Sequence, residues 1–467
     1  MRDSDRPATH DDFAVEDPAD GSVIANVAEM TIADSIRAVD RVAAARPAWA
    51  ATAPRERAEV LRRAFELMIA DEDELATLIV RENGKTLADA IAEVRYAAEF
   101  LRWYSEEAVR LRGETMLAPS GTNRVLVMQQ PVGVCLLITP WNFPAAMITR
   151  KLGPALAAGC GAVVKPAAET PLTAIRLEAL LIEAGLPEDV IATVTTSRPA
   201  QPVEAILDQP VVRMVSFTGS TAVGQQLLAT ASRRVLNVAM ELGGNAPFLV
   251  LADADLDAAV EGALLAKLRN GGQSCTAANR FYVDEAVADE FASKFAAAMG
   301  EMRVGPGLDA GTDVGPMIHG RACARIADLV ADAAQRGAQI LTGGERPARR
   351  GAFFPPTVLD DVPADARVVG EEIFGPVAPI VRFASLDDAI VQANDTDFGL
   401  AAFIYTRDEH QGIAVGERLE VGMIGLNRGM VSEPAAPFGG VKQSGLGREG
   451  GREGIREFAE SKYFAIE

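Results

Sequence analysis

Cysteine and histidine are scarce in this chain, and the scarcity speaks against whole classes of protein. There are four cysteines, Cys135, Cys160, Cys275 and Cys323, and three histidines, His10, His319 and His410. They form no CxxC and no paired Cys/His spacing, which argues against a disulfide framework and a structural zinc site; no metal is expected. No apolar run is long enough to cross a bilayer. Met1 to Asp12 is polar and lacks the apolar core of a signal peptide, so a cytoplasmic location is the expectation. Excess positive charge is absent as well. The formal net charge of −20 argues against nucleic acid or an anionic membrane as a partner through bulk charge. It leaves room for a small anionic substrate held by local arginines. Internal repeats and low-complexity tracts are also missing.

What is present reads as an ordinary globular composition, 49% apolar and 24% charged. A length of 467 residues exceeds one hydrophobic core and implies roughly two or three domains. Residues 1–22 read as a polar arm or edge with a turn at Asp17-Pro-Ala-Asp-Gly21. Thr31 to Arg46 and Pro54 to Asp73 read as helices, with Pro47 as the break between them. Helical pattern continues through Glu74 to Asn83 and Thr86 to Leu111. The stretch 112–130 loses that pattern and carries a strand, Arg124 to Gln129. From Val132 to Met240 short apolar strands alternate with helices, which implies a parallel, doubly wound sheet. A second α/β series runs from Asp253 to about Asn427. Lys462 to Ile466 reads as a strand with no neighbour in sequence to pair with.

Ligands of a doubly wound sheet bind beyond the carboxyl ends of its strands. Asn142, Lys165, Gly219-Ser220 and Glu241 fall there. Asn142, framed by prolines in Thr139-Pro-Trp-Asn-Phe-Pro144, suits an oxyanion donor or a structural loop. Lys165 suits a ribose hydroxyl or phosphate, or plain solvation at a strand end. Phe217-Thr-Gly-Ser-Thr-Ala-Val-Gly224 opens a helix whose free N–H groups favour a phosphate, although it matches neither GxGxxG nor the P-loop. Glu241, before two glycines, suits a general base for water or a surface carboxylate. Glu371-Glu-Ile-Phe-Gly-Pro376 can set an acid and a ring beside a ligand, or make a turn. Cys275 lies on a glycine-loosened loop between the helix ending at Leu268 and the strand Arg280 to Val283. Alone it is better explained as a core thiol than as a nucleophile. A helix C-terminus next to it would raise its pKa.

Taken together and in this order, six motifs resemble the aldehyde dehydrogenase superfamily: Thr139-Pro-Trp-Asn-Phe-Pro, Phe217-Thr-Gly-Ser-Thr, Glu241-Leu-Gly-Gly, Gly272-Gln-Ser-Cys, Glu372-Ile-Phe-Gly-Pro and Pro437-Phe-Gly-Gly. The resemblance covers Asp17 to the C-terminus. It implies a doubly wound parallel-sheet cofactor domain (1–111 and 132–242), an α/β catalytic domain (243–445) and a small β oligomerisation extension (112–131 and 446–467). It further implies Cys275 as nucleophile, Asn142 with the Cys275 backbone N–H as oxyanion hole, and Glu241 as base for the deacylating water. Thr139, Pro140, Trp141, Lys165, Ala168, Gly219, Ser220, Gly224, Leu242, Glu372 and Phe374 would bind NAD(P), as a homodimer or homotetramer. Within the superfamily the chain is most similar to succinate-semialdehyde dehydrogenase, through Asn142 to Lys151, Lys267 to Asn270 and Gly440 to Glu449. There, Arg150, Arg269 and Ser432 match residues holding the substrate's distal carboxylate. Helix-end solvation or an internal ion pair is the other explanation for the two arginines.

Two positions depart from relatives. Ala277 stands where some carry a second cysteine, which removes a local redox partner for Cys275. Ala168 stands where NAD-preferring relatives have a glutamate, which leans the expectation toward NADP, with Glu169 beside it able to restore NAD. Glutarate semialdehyde or an uncharged aldehyde is the nearest alternative substrate. A CoA-acylating enzyme is disfavoured by Glu241, and a non-catalytic binding protein by the intact set of Cys275, Glu241 and Asn142.

Overall fold

The computed structural model describes residues 12–467, so His10 and most of the polar stretch that opens the chain lie outside the described residues. Two main sheets carry the architecture. In the first, parallel strands run Ile191–Thr193, Gly161–Lys165, Val134–Ile138, Val212–Thr218 and Asn237–Glu241 in space, with the short Gly445–Leu446 antiparallel at one edge. Chain order reverses between Val134–Ile138 and Val212–Thr218, so the crevice at their carboxyl ends is the switch point where such sheets bind ligands. Every residue of Val134–Ile138 and Gly161–Lys165 is buried, as parallel strands covered by helices on both faces require. The helix after the first strand, Pro144–Ala158, is buried at all 15 positions, Arg150 and Lys151 included.

The second sheet runs Gln339–Thr342, Thr357–Asp360, Val377–Phe383, Ala278–Asp284, Ala246–Val250, Ala401–Tyr405 and Met423–Leu426, parallel except for the first pair. Aromatic rings fill the layer beneath it. Phe248 lies 5.1 Å from Phe281 and 5.0 Å from Tyr405, centroid to centroid. A third, antiparallel sheet joins Glu114–Leu117, Arg124–Pro131 and Ala459–Ile466. The strand that had no sequence neighbour therefore finds its partner in the 112–130 excursion.

Two features differ from the sequence expectation. Pro47 does not break a helix: Ile32–Ala51 runs through it, capped at Thr31 by a capping box with Asp34. Tertiary packing outweighs the proline, because Trp49 beyond it is buried and its Nε1 donates to the Leu156 carbonyl at 3.2 Å. The real break falls at Thr52-Ala53. Strand Ala246–Val250, at the heart of the second sheet, escaped the pattern because only Leu242 to Asn245 separates it from the preceding strand. The Asp17–Gly21 turn is present, with the Gly21 N–H donating to the Asp17 carbonyl at 2.7 Å, and it joins strands Asp12–Glu16 and Val23–Ala28.

Candidate functional site

Cys275 sits where the two sheets face each other. Helix Leu256–Leu268 ends, and Asn270, Gly271 and Gly272 follow in the left-handed region at φ of 52°, 61° and 78°. The chain is thereby turned so that Cys275 enters the strand Ala278–Asp284 from its amino end. Close approach fixes two of the glycines. A Cβ on Gly272 would stand 2.3 Å from the Gly375 carbonyl, and one on Gly244 would stand 2.3 Å from the Cys275 carbonyl. No backbone carbonyl among the described residues accepts from the Cys275 N–H, which lies against its own sulfur. Its thiol is pushed up to about 12, chiefly by burial. Arg150 pulls it down, while Glu372 and Glu241 add to the rise.

A cavity of about 220 Å³ opens beside the sulfur. Its wall includes nine residues singled out from sequence: Pro140, Trp141, Asn142, Gly219, Ser220, Leu242, Cys275, Glu372 and Phe374. Thr218 and Gly243 complete it. Trp141 and Phe374 meet edge to face, centroids 5.5 Å apart. Ser220 precedes helix Thr221–Ser232 and caps it with no side-chain bond, so the first-turn N–H groups are unspent. Gly224 lies one turn inside, its N–H on the Ser220 carbonyl at 3.0 Å. Glu372 Oε1 accepts from the Gly244 N–H at 3.1 Å. Burial, only partly offset by that bond and by Arg325 and Lys267, holds the Glu372 carboxyl at about 7. Unspent helix N–H groups, a carboxylate and an aromatic pair around one cleft suit a dinucleotide.

Thr139 and Lys165 stand behind this wall, tied together by a Thr139 N–H to Lys165 carbonyl bond of 3.1 Å. Burial lowers the pKa of Lys165, opposed by the nearby carboxylates of Glu169 and Glu29. Glu29 is already occupied by Ser197 and Thr196. Ala168 is half-buried beyond Lys165.

Asn142 is held from three directions. Its Nδ2 donates to the Gln273 carbonyl at 3.0 Å, and its own carbonyl accepts from Lys85 Nζ at 2.8 Å and Asn270 Nδ2 at 2.7 Å. The second N–H of its amide has no acceptor among the described residues. Lys85 is itself buried in an ion pair with Glu93, whose other oxygen takes the Ala145 N–H at 2.9 Å.

Glu241 is buried with Oε2 unpartnered. It does not form part of the cavity wall, but its carbonyl accepts from the Gly219 N–H at 3.1 Å. Burial first, then repulsion from Glu449, raises its carboxyl well above the usual range. Burial would raise Glu449 too, but Arg150 and Lys151 outweigh it and keep Glu449 ionised.

Arg150 therefore has an internal carboxylate, and its guanidinium also stacks on Phe438 at 4.1 Å. Arg269 differs. It pairs with no carboxylate among the described residues and lies over Phe143 at 4.6 Å and Tyr96 at 5.5 Å. Tyr96 Oη is buried and unpartnered, with Arg150 and Ser432 as its polar neighbours. Arg150, Arg269 and Ser432 thus surround one tyrosine. Lys85, Glu93 and Tyr96 did not stand out in sequence, and Asn270 and Glu449 entered only within matched segments. Glu93 and Tyr96 lie on helix Leu87–Glu107, and Lys85 in the short link before it.

The chain matches the aldehyde dehydrogenase family over residues 6–464. It is 53% identical over 444 residues to a succinate-semialdehyde dehydrogenase of Paenarthrobacter nicotinovorans, covering 95% of this chain and 99% of that one. A glutarate-semialdehyde dehydrogenase of Pseudomonas aeruginosa is 48% identical over 452 residues, 97% of this chain and 93% of its own. Among solved structures, an E. coli NADP-dependent enzyme superposes with a TM-score of 0.96 at 48% identity, covering 98% of this chain and 95% of that chain.

Proposed function

The chain belongs to the aldehyde dehydrogenase family, and from that premise we propose that it oxidises succinate semialdehyde to succinate with NADP⁺ or NAD⁺. The carrying observation is Arg269, a cation with no carboxylate partner among the described residues, poised over Phe143 and Tyr96 beside the Cys275 loop. A guanidinium in that position pairs bidentately with the distal carboxylate of a short semialdehyde acid. Ser432 would add a hydroxyl to the clamp, and Arg150, already paired with Glu449, would contribute only through its remaining guanidinium N–H groups.

In this reading Cys275 Sγ attacks the aldehyde carbon, and its proton leaves to solvent. The new oxyanion is held by the Cys275 backbone N–H and the spare N–H of Asn142, each worth about 3 kcal/mol. A nicotinamide, when bound, supplies the acceptor for the hydride that leaves as the thiohemiacetal becomes a thioester. Glu241, with its raised pKa, takes the proton of the water that then attacks that thioester, and the thiolate is released. Glu372 would hold the nicotinamide ribose and Phe374 would pack on its ring. Ser220, with the first turn of Thr221–Ser232, would take the diphosphate, and Lys165 the adenosine side. Thr139, Pro140, Trp141, Gly219, Gly224 and Leu242 would shape the walls. Ala168, neutral where a carboxylate would repel a 2′-phosphate, leans the choice to NADP⁺.

The body around the first sheet, 1–111 and 132–242, takes the cofactor role in this reading, and 243–445 the catalytic one. The three-stranded sheet of 112–131 and 446–467, which exposes Leu117, Tyr463 and Phe464, serves homo-oligomerisation. A cytoplasmic location remains the expectation. Glutarate semialdehyde, one methylene longer, is the second reading, favoured by the likeness to the Pseudomonas enzyme. Steady-state kinetics with succinate and glutarate semialdehydes, each with both cofactors, test the proposal. The highest kcat/KM is expected for succinate semialdehyde with NADP⁺. Turnover of neither acid would overturn it.

A further inference from the structure

The segment Glu371 to Phe374 has no regular structure, yet it carries two walls of the cleft. Phe374 holds a φ of 52°, a conformation that is costly for a side-chain-bearing residue and persists only where surroundings over-determine it. One side chain supplies much of that determination. Asn279 lies four residues beyond Cys275, on the strand that the Cys275 loop enters, and is buried. Its Nδ2 donates to the Glu371 carbonyl at 3.0 Å, and its Oδ1 accepts from the Ile373 N–H at 3.0 Å. The amide thus stands in for a paired strand, taking the backbone groups on both sides of Glu372. Asn245 fixes its orientation by accepting from Nδ2 at 2.6 Å and donating to the Val369 carbonyl at 3.0 Å.

We propose that Asn279 is a positioning residue that registers the Glu372 carboxylate and the Phe374 ring to the thiol of Cys275, coupling the strand that follows the nucleophile to the cofactor wall. The inference rests on the reading of the cleft as the nicotinamide site. Replacing Asn279 leaves Cys275, Asn142 and Glu241 in place but frees the segment opposite them. The loss then falls on the cofactor and not on thiol chemistry.

The test compares Asn279→Ala and Asn279→Asp in two assays. Asn279→Asp keeps the acceptor for Ile373 but removes both donor contacts. One assay is semialdehyde oxidation with varied NADP⁺. The other is hydrolysis of p-nitrophenyl acetate, which needs thiol, oxyanion hole and water but no nicotinamide. Asn279→Ala is expected to raise the cofactor KM about tenfold or more while ester hydrolysis stays within about twofold. Asn279→Asp is expected to fall between it and the unmodified protein. If Asn279→Ala does not fold, the same split in Asn279→Asp decides. Equal losses in both assays, or an unchanged cofactor KM, would overturn the proposal. If the unmodified protein hydrolyses the ester but transfers no hydride to NADP⁺ or NAD⁺, the reading of the cleft fails instead, before any variant is made.

Discussion

At the scale of single residues, the chemistry turns on what sets the charge of Cys275. Burial pushes the thiol to about 12, and of its charged neighbours Arg150 lowers it while Glu372 and Glu241 raise it. A group whose charged form is disfavoured in this way is a neutral thiol at physiological pH, and its thiolate fraction grows about tenfold per pH unit below the pKa. The alkylation rate of Cys275 by iodoacetamide in the cofactor-free protein should therefore climb without levelling between about pH 6 and pH 10. Peptide mapping of the modified cysteine measures it, and a plateau by about pH 8 would show an activated thiolate instead. Burial with two carboxylates accounts for the direction of the shift.

At the scale of elements, the site depends on buried polar ties between segments distant in sequence. Lys85 and Glu93 are both fully buried, and together they carry the Asn142 carbonyl and the first N–H groups of helix Pro144–Ala158. Removing one member of such a pair strands the other. Lys85→Met should cost about 3–5 kcal/mol and lower the midpoint of urea unfolding. A loss below about 1 kcal/mol would mean that Glu93 takes up a proton and the tie is dispensable. This layer is the one sequence could not show. Asn142 and Cys275 stood out because they sit in proline- and glycine-marked loops. Glu93 and Asn279 sit among helix and strand residues and Lys85 in the short link between two helices, where a polar side chain gives no sign of whether it faces solvent or a neighbour's backbone. Pro47 shows the reverse error: a strong local signal was overridden by Trp49 packing on Leu156.

At the scale of the whole molecule, strand and helix alternation was legible from Val132 onward, and the first sheet follows it closely. The second sheet was legible only in part. Ala246–Val250, Thr357–Asp360 and Met423–Leu426 are short and lie against turns, so their periodicity is weak. The pairing of Ala459–Ile466 with Arg124–Pro131 depends on chain topology alone. That topology brings the carboxyl ends of the first sheet against the amino end of Ala278–Asp284, and Arg269 lines a small pocket with Ser274 and Thr276, the two neighbours of Cys275 in sequence. The choice of an acidic aldehyde rests on the Arg269 guanidinium, which pairs with no carboxylate among the described residues. The direct measurement is kcat/KM of the unmodified protein and Arg269→Ala on succinate semialdehyde and on butanal, which has the same chain length and no carboxylate. The account predicts that Arg269→Ala loses about tenfold or more on succinate semialdehyde and little on butanal. An equal loss on both aldehydes would contradict it.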